Sequence, residues 1–256
     1  MNLKFRIKRT ISYFYPFLLE QVKGDISPYL EVVLSKGRIL LNASKCNYSY
    51  GKSCELFDQV FRKIRIQDRT VKNTLVLGFG CGEIASLLLE KYRKESFIIG
   101  IEKDAIVMKL ASKYFNTTRF KTLRIFSDDA YDYVNGSNER FDLIIMDVSV
   151  EDYLPRQFHE KRFIKSMESL LEEKGILIFS KSAKTTQQEK ELDILRRHFS
   201  ELEGYSHLYH FPQIEKDKYF IVYAKSGFIA TPLLTASRNI KAQTPFPFVE
   251  KQGAFA

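Results

Sequence analysis

The segment LVLGFGCGEIASLLLEKY, residues 75–92, decides how the rest of the chain is read. An apolar run, Leu75–Leu77, meets glycines at alternate positions, Gly78, Gly80 and Gly82, and then Ile84, Leu87, Leu88 and Leu89 recur at helical spacing. A short buried strand, a tight turn and a helix from Cys81 to Tyr92 satisfy the whole pattern. In such a turn Gly78 takes the bend, Gly80 lets the backbone approach a ligand, and Gly82 lets the helix pack close to the sheet.

Downstream the same alternation continues. Phe97–Ile101, Thr122–Phe126, Asp142–Met146 and Gly175–Phe179 read as strands, with helices over about Ala105–Phe115, Tyr131–Val134 and Phe163–Leu171 between them. Apolar strands alternating with helices indicate an α/β fold with a mostly parallel sheet covered on both faces. A charged helix, Gln187–Phe199, precedes SHLYHF (206–211) and KYFIVYAK (218–225), which form a closing antiparallel pair. Upstream, YLEVVLS (29–35) and RILLNAS (38–44) read as a small β-hairpin turning over Ser35–Gly37. Before it, Ile7, Ile11, Phe14 and Leu18 predict an amphipathic helix over residues 4–22, interrupted near Pro16. The expected organisation is an N-terminal helix and small β domain over 1–70, an α/β domain over 71–226 and a C-terminal tail over 227–256.

Composition narrows the class. A chain of 256 residues, 45% hydrophobic, can bury one sizeable core. It has no run of eighteen apolar residues and no small-residue cleavage site after its basic start, so a cytoplasmic protein without stable membrane insertion is expected. Cys46, Cys54 and Cys81 are an odd set without CxxC spacing, which argues against a disulfide framework and a structural zinc site, and the four histidines assemble no metal set. The formal charge of +9 suits an anionic partner or substrate, but no aromatic-interleaved basic motif is present. A solvated basic surface is the better reading than a nucleic-acid footprint.

The ligand class comes from a second signal. Glu102 ends the second strand about twenty residues beyond the glycines, where a carboxylate can accept both hydroxyls of a ribose. With the glycine turn it favours an adenosine-bearing ligand over packing alone. A dinucleotide would set its pyrophosphate at the helix N-terminus, where Glu83 opposes phosphate charge. S-adenosylmethionine has no phosphate and carries a sulfonium, which suits an acidic rim.

The motifs FGCGEIASLLL (79–89), GIEKDAIV (100–107), FSDDAYDYV (126–134) and FDLIIMDVS (141–149), in this order, resemble the class I S-adenosylmethionine-dependent transferase fold, and within it the spermidine synthase family. The resemblance covers roughly residues 29–225. It implies a Rossmann-like, seven-stranded, methyltransferase-type sheet behind the small β element; the helix over 4–22 and that β element lead to the expectation of a homodimer. It also implies that Gly78, Gly80 and Gly82 line the methionine-derived part of the donor and Glu102 holds the ribose. Asp129 and Ala130 match the pair that binds the adenine amino group, although adjacent acids such as Asp128 and Asp129 also serve as helix caps.

Asp147 ends the strand 142–146, where a carboxylate can orient or deprotonate an incoming amine. In spermidine synthases this acid begins an Asp-x-x-Asp-Pro segment, whereas here Val150 and Glu151 stand for the second acid and the proline. Glu151 or Asp152 can replace the missing charge after a loop shift, and Tyr153 and Phe158 are equally an acceptor wall or packing. In NASKCNYSYGKSCELFDQVF (42–61), Tyr50 resembles the tyrosine of the polyamine site, but Lys45 stands near the family's glutamine and would repel a polyamine. Three readings follow. The first is an aminopropyltransferase using decarboxylated S-adenosylmethionine, without a metal, on an amine acceptor. The others are a small-molecule methyltransferase using S-adenosylmethionine and a scaffold that has lost catalysis.

Overall fold

The computed structural model describes residues 3–43, 52–149 and 153–226. Helix α1 (Leu3–Ile11) leads into an antiparallel sheet of β1 (Phe17–Val22), β2 (Leu30–Ser35) and β3 (Arg38–Ala43). The helix expected to run to residue 22 therefore stops at Ile11, and Leu18 lies in a strand. Pro16 lacks an N–H and disfavours helical geometry at Tyr15. Tertiary contacts then hold the break. The buried Ser12 accepts the Lys36 N–H at its carbonyl (2.8 Å) and the Gly37 N–H at its hydroxyl (2.9 Å). Lys36 and Gly37 have φ of 48° and 73°, so the hairpin turns on two left-handed residues with Ser35 opposite Arg38. The expected hairpin has gained β1 as a third strand.

After α2 (Lys52–Lys63) the chain alternates β4 (Asn73–Leu77), α3 (Glu83–Ser86), β5 (Phe97–Glu102), α4 (Ala105–Phe115), β6 (Leu123–Ser127), α5 (Ala130–Gly136), β7 (Phe141–Met146), α6 (Lys161–Ser169), β8 (Leu171–Ser182), α7 (Thr186–Ser200), β9 (Tyr205–His210) and β10 (Lys218–Ala224). The seven strands lie in the order β6-β5-β4-β7-β8-β10-β9, parallel except that β10 runs antiparallel to both its neighbours. This is the mostly parallel Rossmann-like sheet expected. The helix expected from Cys81 to Tyr92 begins at Glu83 and widens after Ser86, where Tyr92 N–H bonds Leu87 O five residues back.

Both faces of the sheet are covered. Leu75, Leu77, Ile144, Met146, Leu177 and Phe179 point to α5, α6 and α7, where Phe163, Met167, Leu195 and Phe199 are fully buried. Val76, Ile145, Ile178 and Val222 point to α2 and α3, meeting Phe57, Phe61, Ile84 and Leu88. Each such apolar side chain taken from water contributes roughly 1.5–3 kcal/mol. A third cluster, with Leu30, Val32 and Leu41 against Cys81, Val107 and Leu110, fastens the small sheet to α4 and the glycine turn. The five parallel strands thus end together beneath the small sheet, where a ligand can enter. Among the described residues, no helix is long and apolar enough to cross a membrane.

Candidate functional site

Strand β4 ends in Gly78, Phe79, Gly80, Cys81 and Gly82, and all three glycines have positive φ: 80°, 55° and 83°. Gly78 is required twice over. A Cβ there would lie 2.6 Å from the Asp147 carbonyl oxygen, in a conformation that L side chains rarely adopt. The turn is tied to the ends of the flanking strands, since Gly78 and Phe79 both donate to Ile101 O (3.0 Å) and Asp147 N–H donates to Leu77 O (2.9 Å). Gly82 serves packing, because a Cβ there would meet Thr117 Cγ2 at 3.0 Å.

A cavity of about 300 Å³ opens over this turn and is lined by Gly78, Gly80, Glu102, Asp129, Ala130 and Asp147. The structure therefore brings six of the seven residues singled out for the donor and for catalysis to one space; Gly82 lies just behind it. Glu102 is 7% exposed and accepts Gly80 N–H at Oε2 (2.9 Å) and Asp104 N–H at Oε1 (3.0 Å). Burial pushes its carboxyl above the ordinary range despite those two donors. Asp129 caps α5, accepting Tyr131 N–H (2.7 Å), and pairs with Lys103 Nζ (2.7 Å). Burial opposes its ionisation, but the Lys103 and Tyr131 bonds outweigh burial and hold its carboxyl below the usual range.

At the end of β7, Asp147 Oδ1 accepts the Ser180 hydroxyl (2.6 Å) and the Lys218 ammonium (3.0 Å). Facing it is Glu83, the first residue of α3, 9% exposed, with Oε1 bonded to nothing among the described residues. Burial and, second, the charge of Asp147 push the Glu83 carboxyl up to about 8. Glu83 was legible in the sequence only as an acid unsuited to phosphate. Its isolation and the Lys218–Asp147 pair depend on strand ends far apart in the chain. Ile26 also enters the cavity, on a loop whose backbone N–H bonds the buried Asp104 (3.0 Å).

The acceptor residues are placed less completely. Tyr50, Glu151 and Asp152, with Lys45 and Val150, lie outside the described residues. Tyr153 does not line this cavity; it is 47% exposed beside a separate depression with His159 and Glu191. Phe158 lines the cavity and is also packed edge-on against Phe163 (5.1 Å), so it is both wall and core. Glu191, which lines the neighbouring depression with His159, pairs with the buried Lys181 (2.8 Å), and its carboxylate stands 3.4 Å from His159 Nε2.

A strand–glycine turn–helix with acids at the ends of successive strands is shared by many nucleotide-binding enzymes, so the family rests on sequence. The model of the spermine/spermidine synthase domain matches residues 64–226. The chain belongs to that family. A polyamine aminopropyltransferase of Vibrio vulnificus is 28% identical over 107 residues, 41% of this chain and 36% of that enzyme. The chain therefore aligns with about a third of that relative's length. Among solved structures, a probable spermidine synthase from Corynebacterium glutamicum superposes with a TM-score of 0.68 at 15% identity, covering 84% of this chain and 83% of that one. Human methyltransferase-like protein 13, in complex with SAH, superposes with a TM-score of 0.56 at 16% identity over 69% of this chain and 82% of that one. At these identities both likenesses are of fold. The family member described here thus has an S-adenosylmethionine-dependent transferase fold.

Proposed function

We propose that this spermidine synthase family member transfers an aminopropyl group from decarboxylated S-adenosylmethionine to an amine. The observation that carries the reading is the convergence of Gly80, Glu102, Asp129 and Asp147 on one cavity within the family domain. In this reading Glu102 takes the ribose hydroxyls with lone pairs left free by Gly80 and Asp104. Asp129, with Ala130 behind it, accepts the adenine amino group, and Gly78 and Gly80 admit the chain that leads to the sulfonium. The neutral amine attacks the carbon next to sulfur, the C–S bond breaks, and methylthioadenosine leaves with the bond's electron pair. The ammonium formed then loses a proton. Asp147 orients the amine and receives that proton on Oδ2, since Ser180 and Lys218 both engage Oδ1. No metal enters the scheme, and a homodimer is part of it.

One observation favours a second reading, methyl transfer from S-adenosylmethionine. Lys218 neutralises the carboxylate that a cationic amine would use. Calorimetric titration with S-adenosylmethionine, its decarboxylated form and methylthioadenosine separates the two. Preference for the decarboxylated form is the expected result; preference for S-adenosylmethionine selects methyl transfer, and binding of none of them refutes both.

A further inference from the structure

Glu83 is more than nine-tenths buried, yet it lines the cavity and leaves Oε1 without a hydrogen bond among the described residues. A buried carboxylate in that condition is costly unless it is neutral or a cation arrives to pair with it. Among the described residues its charged and titratable surroundings supply no unpaired cation: Lys103, which lines the same cavity, is held by Asp129 (2.7 Å). From β7 comes Asp147, with Lys218 already spent on its Oδ1; from α2 comes Cys54, and from the glycine turn Cys81, behind which stands Glu102. Burial keeps both thiols protonated and neutral, Cys54 being pushed up to about 11. Among the described residues, the direction left for a counter-charge is the cavity itself.

We propose that Glu83 is a proton-exchanging specificity residue of this cavity: it holds a proton in the ligand-free protein and releases it when a ligand bearing a sulfonium or ammonium is seated, so that cationic ligands bind with proton release and neutral ones do not. The rise of its carboxyl to about 8 through burial and Asp147 agrees with this. The inference rests on the nucleoside reading of the same cavity, but adds a residue and a charge preference to it. A seated cation favours the ionised form, so its affinity increases with pH up to about 8 and levels off above.

Calorimetry of the full chain in buffers of different ionisation enthalpy, from about pH 6 to about pH 9, tests this with decarboxylated S-adenosylmethionine, S-adenosylmethionine and uncharged methylthioadenosine. The expected result near pH 7 is close to one proton released per cationic ligand, with nearly tenfold tighter binding per pH unit below pH 7, and a flat profile for methylthioadenosine. Glu83→Gln, which mimics the protonated acid in shape, should keep methylthioadenosine affinity and abolish the proton release. Methylthioadenosine binding without proton release by either cationic ligand, or release that persists in Glu83→Gln, overturns the inference while leaving the nucleoside reading intact. Failure of all three ligands to bind overturns both.

Discussion

Lys218 Nζ lies 3.0 Å from Asp147 Oδ1, so the carboxylate at the mouth of the cavity is paired within the protein by a residue 71 positions away. The pair is partly shielded, with side chains 18% and 21% exposed. Lys218→Met should free Asp147 for a cationic acceptor and lower the KM for that amine roughly fivefold, about 1 kcal/mol. Steady-state kinetics with the variant, varying the amine, measures this. An unchanged KM would detach Asp147 from acceptor binding.

Gly78→Ala forces a side chain into a left-handed residue and against the Asp147 carbonyl. Strain of about 1–3 kcal/mol is expected, with loss of nucleoside binding as the turn shifts. Thermal unfolding and methylthioadenosine titration of the same sample read both effects.

Glu102→Ala leaves Gly80 N–H and Asp104 N–H without their buried acceptor. Unfolding free energy should fall by about 1–3 kcal/mol, and methylthioadenosine affinity by at least about tenfold. A variant that is destabilised but binds normally would make Glu102 a brace of the turn alone.

Asp129 separates capping from recognition. Asp129→Asn retains a capping oxygen for Tyr131 N–H, so stability should change little, whereas Asp129→Ala should cost about 1 kcal/mol. If the side chain also accepts the adenine amino group, Asp129→Ala should weaken methylthioadenosine at least about fivefold, and Asp129→Asn should keep most of the affinity. Calorimetry beside denaturant unfolding compares the two variants.

Glu83 also sets a pH dependence of stability. Its carboxyl is near 4.5 when unfolded and about 8 when folded, so between these values the folded chain holds a proton that the unfolded chain has lost. Stability is therefore full below about pH 4.5 and declines as pH rises to about 8, by a few kcal/mol; Glu102 acts in the same direction. Glu83→Gln should match the parent near pH 4.5 and exceed it in unfolding free energy at pH 8. Urea unfolding across that range decides it, and parallel curves for the two proteins would refute the assignment.

Much of this molecule was legible because its signals are local. The step from Leu77 to Gly78, the acid at Glu102 and the Asp129–Ala130 pair each sit where a strand ends, and strand ends follow from runs of apolar residues a few positions long. The helix predicted over 4–22 went astray for the complementary reason. Ile7, Ile11, Phe14 and Leu18 keep helical spacing, but Ser12 is claimed by Lys36 and Gly37, a contact that local spacing cannot express.

By itself the sequence determined the alternation of strands and helices, the glycine turn and the acids at the strand ends, because backbone sterics and hydrophobic periodicity act over neighbouring residues. Only the tertiary structure decided the charge state of the cavity. Whether Glu83 is neutral and Asp147 paired depends on burial and on Ser180 and Lys218 reaching in from β8 and β10, and electrostatic energies are set by distance in space and by exclusion of water, not by distance along the chain.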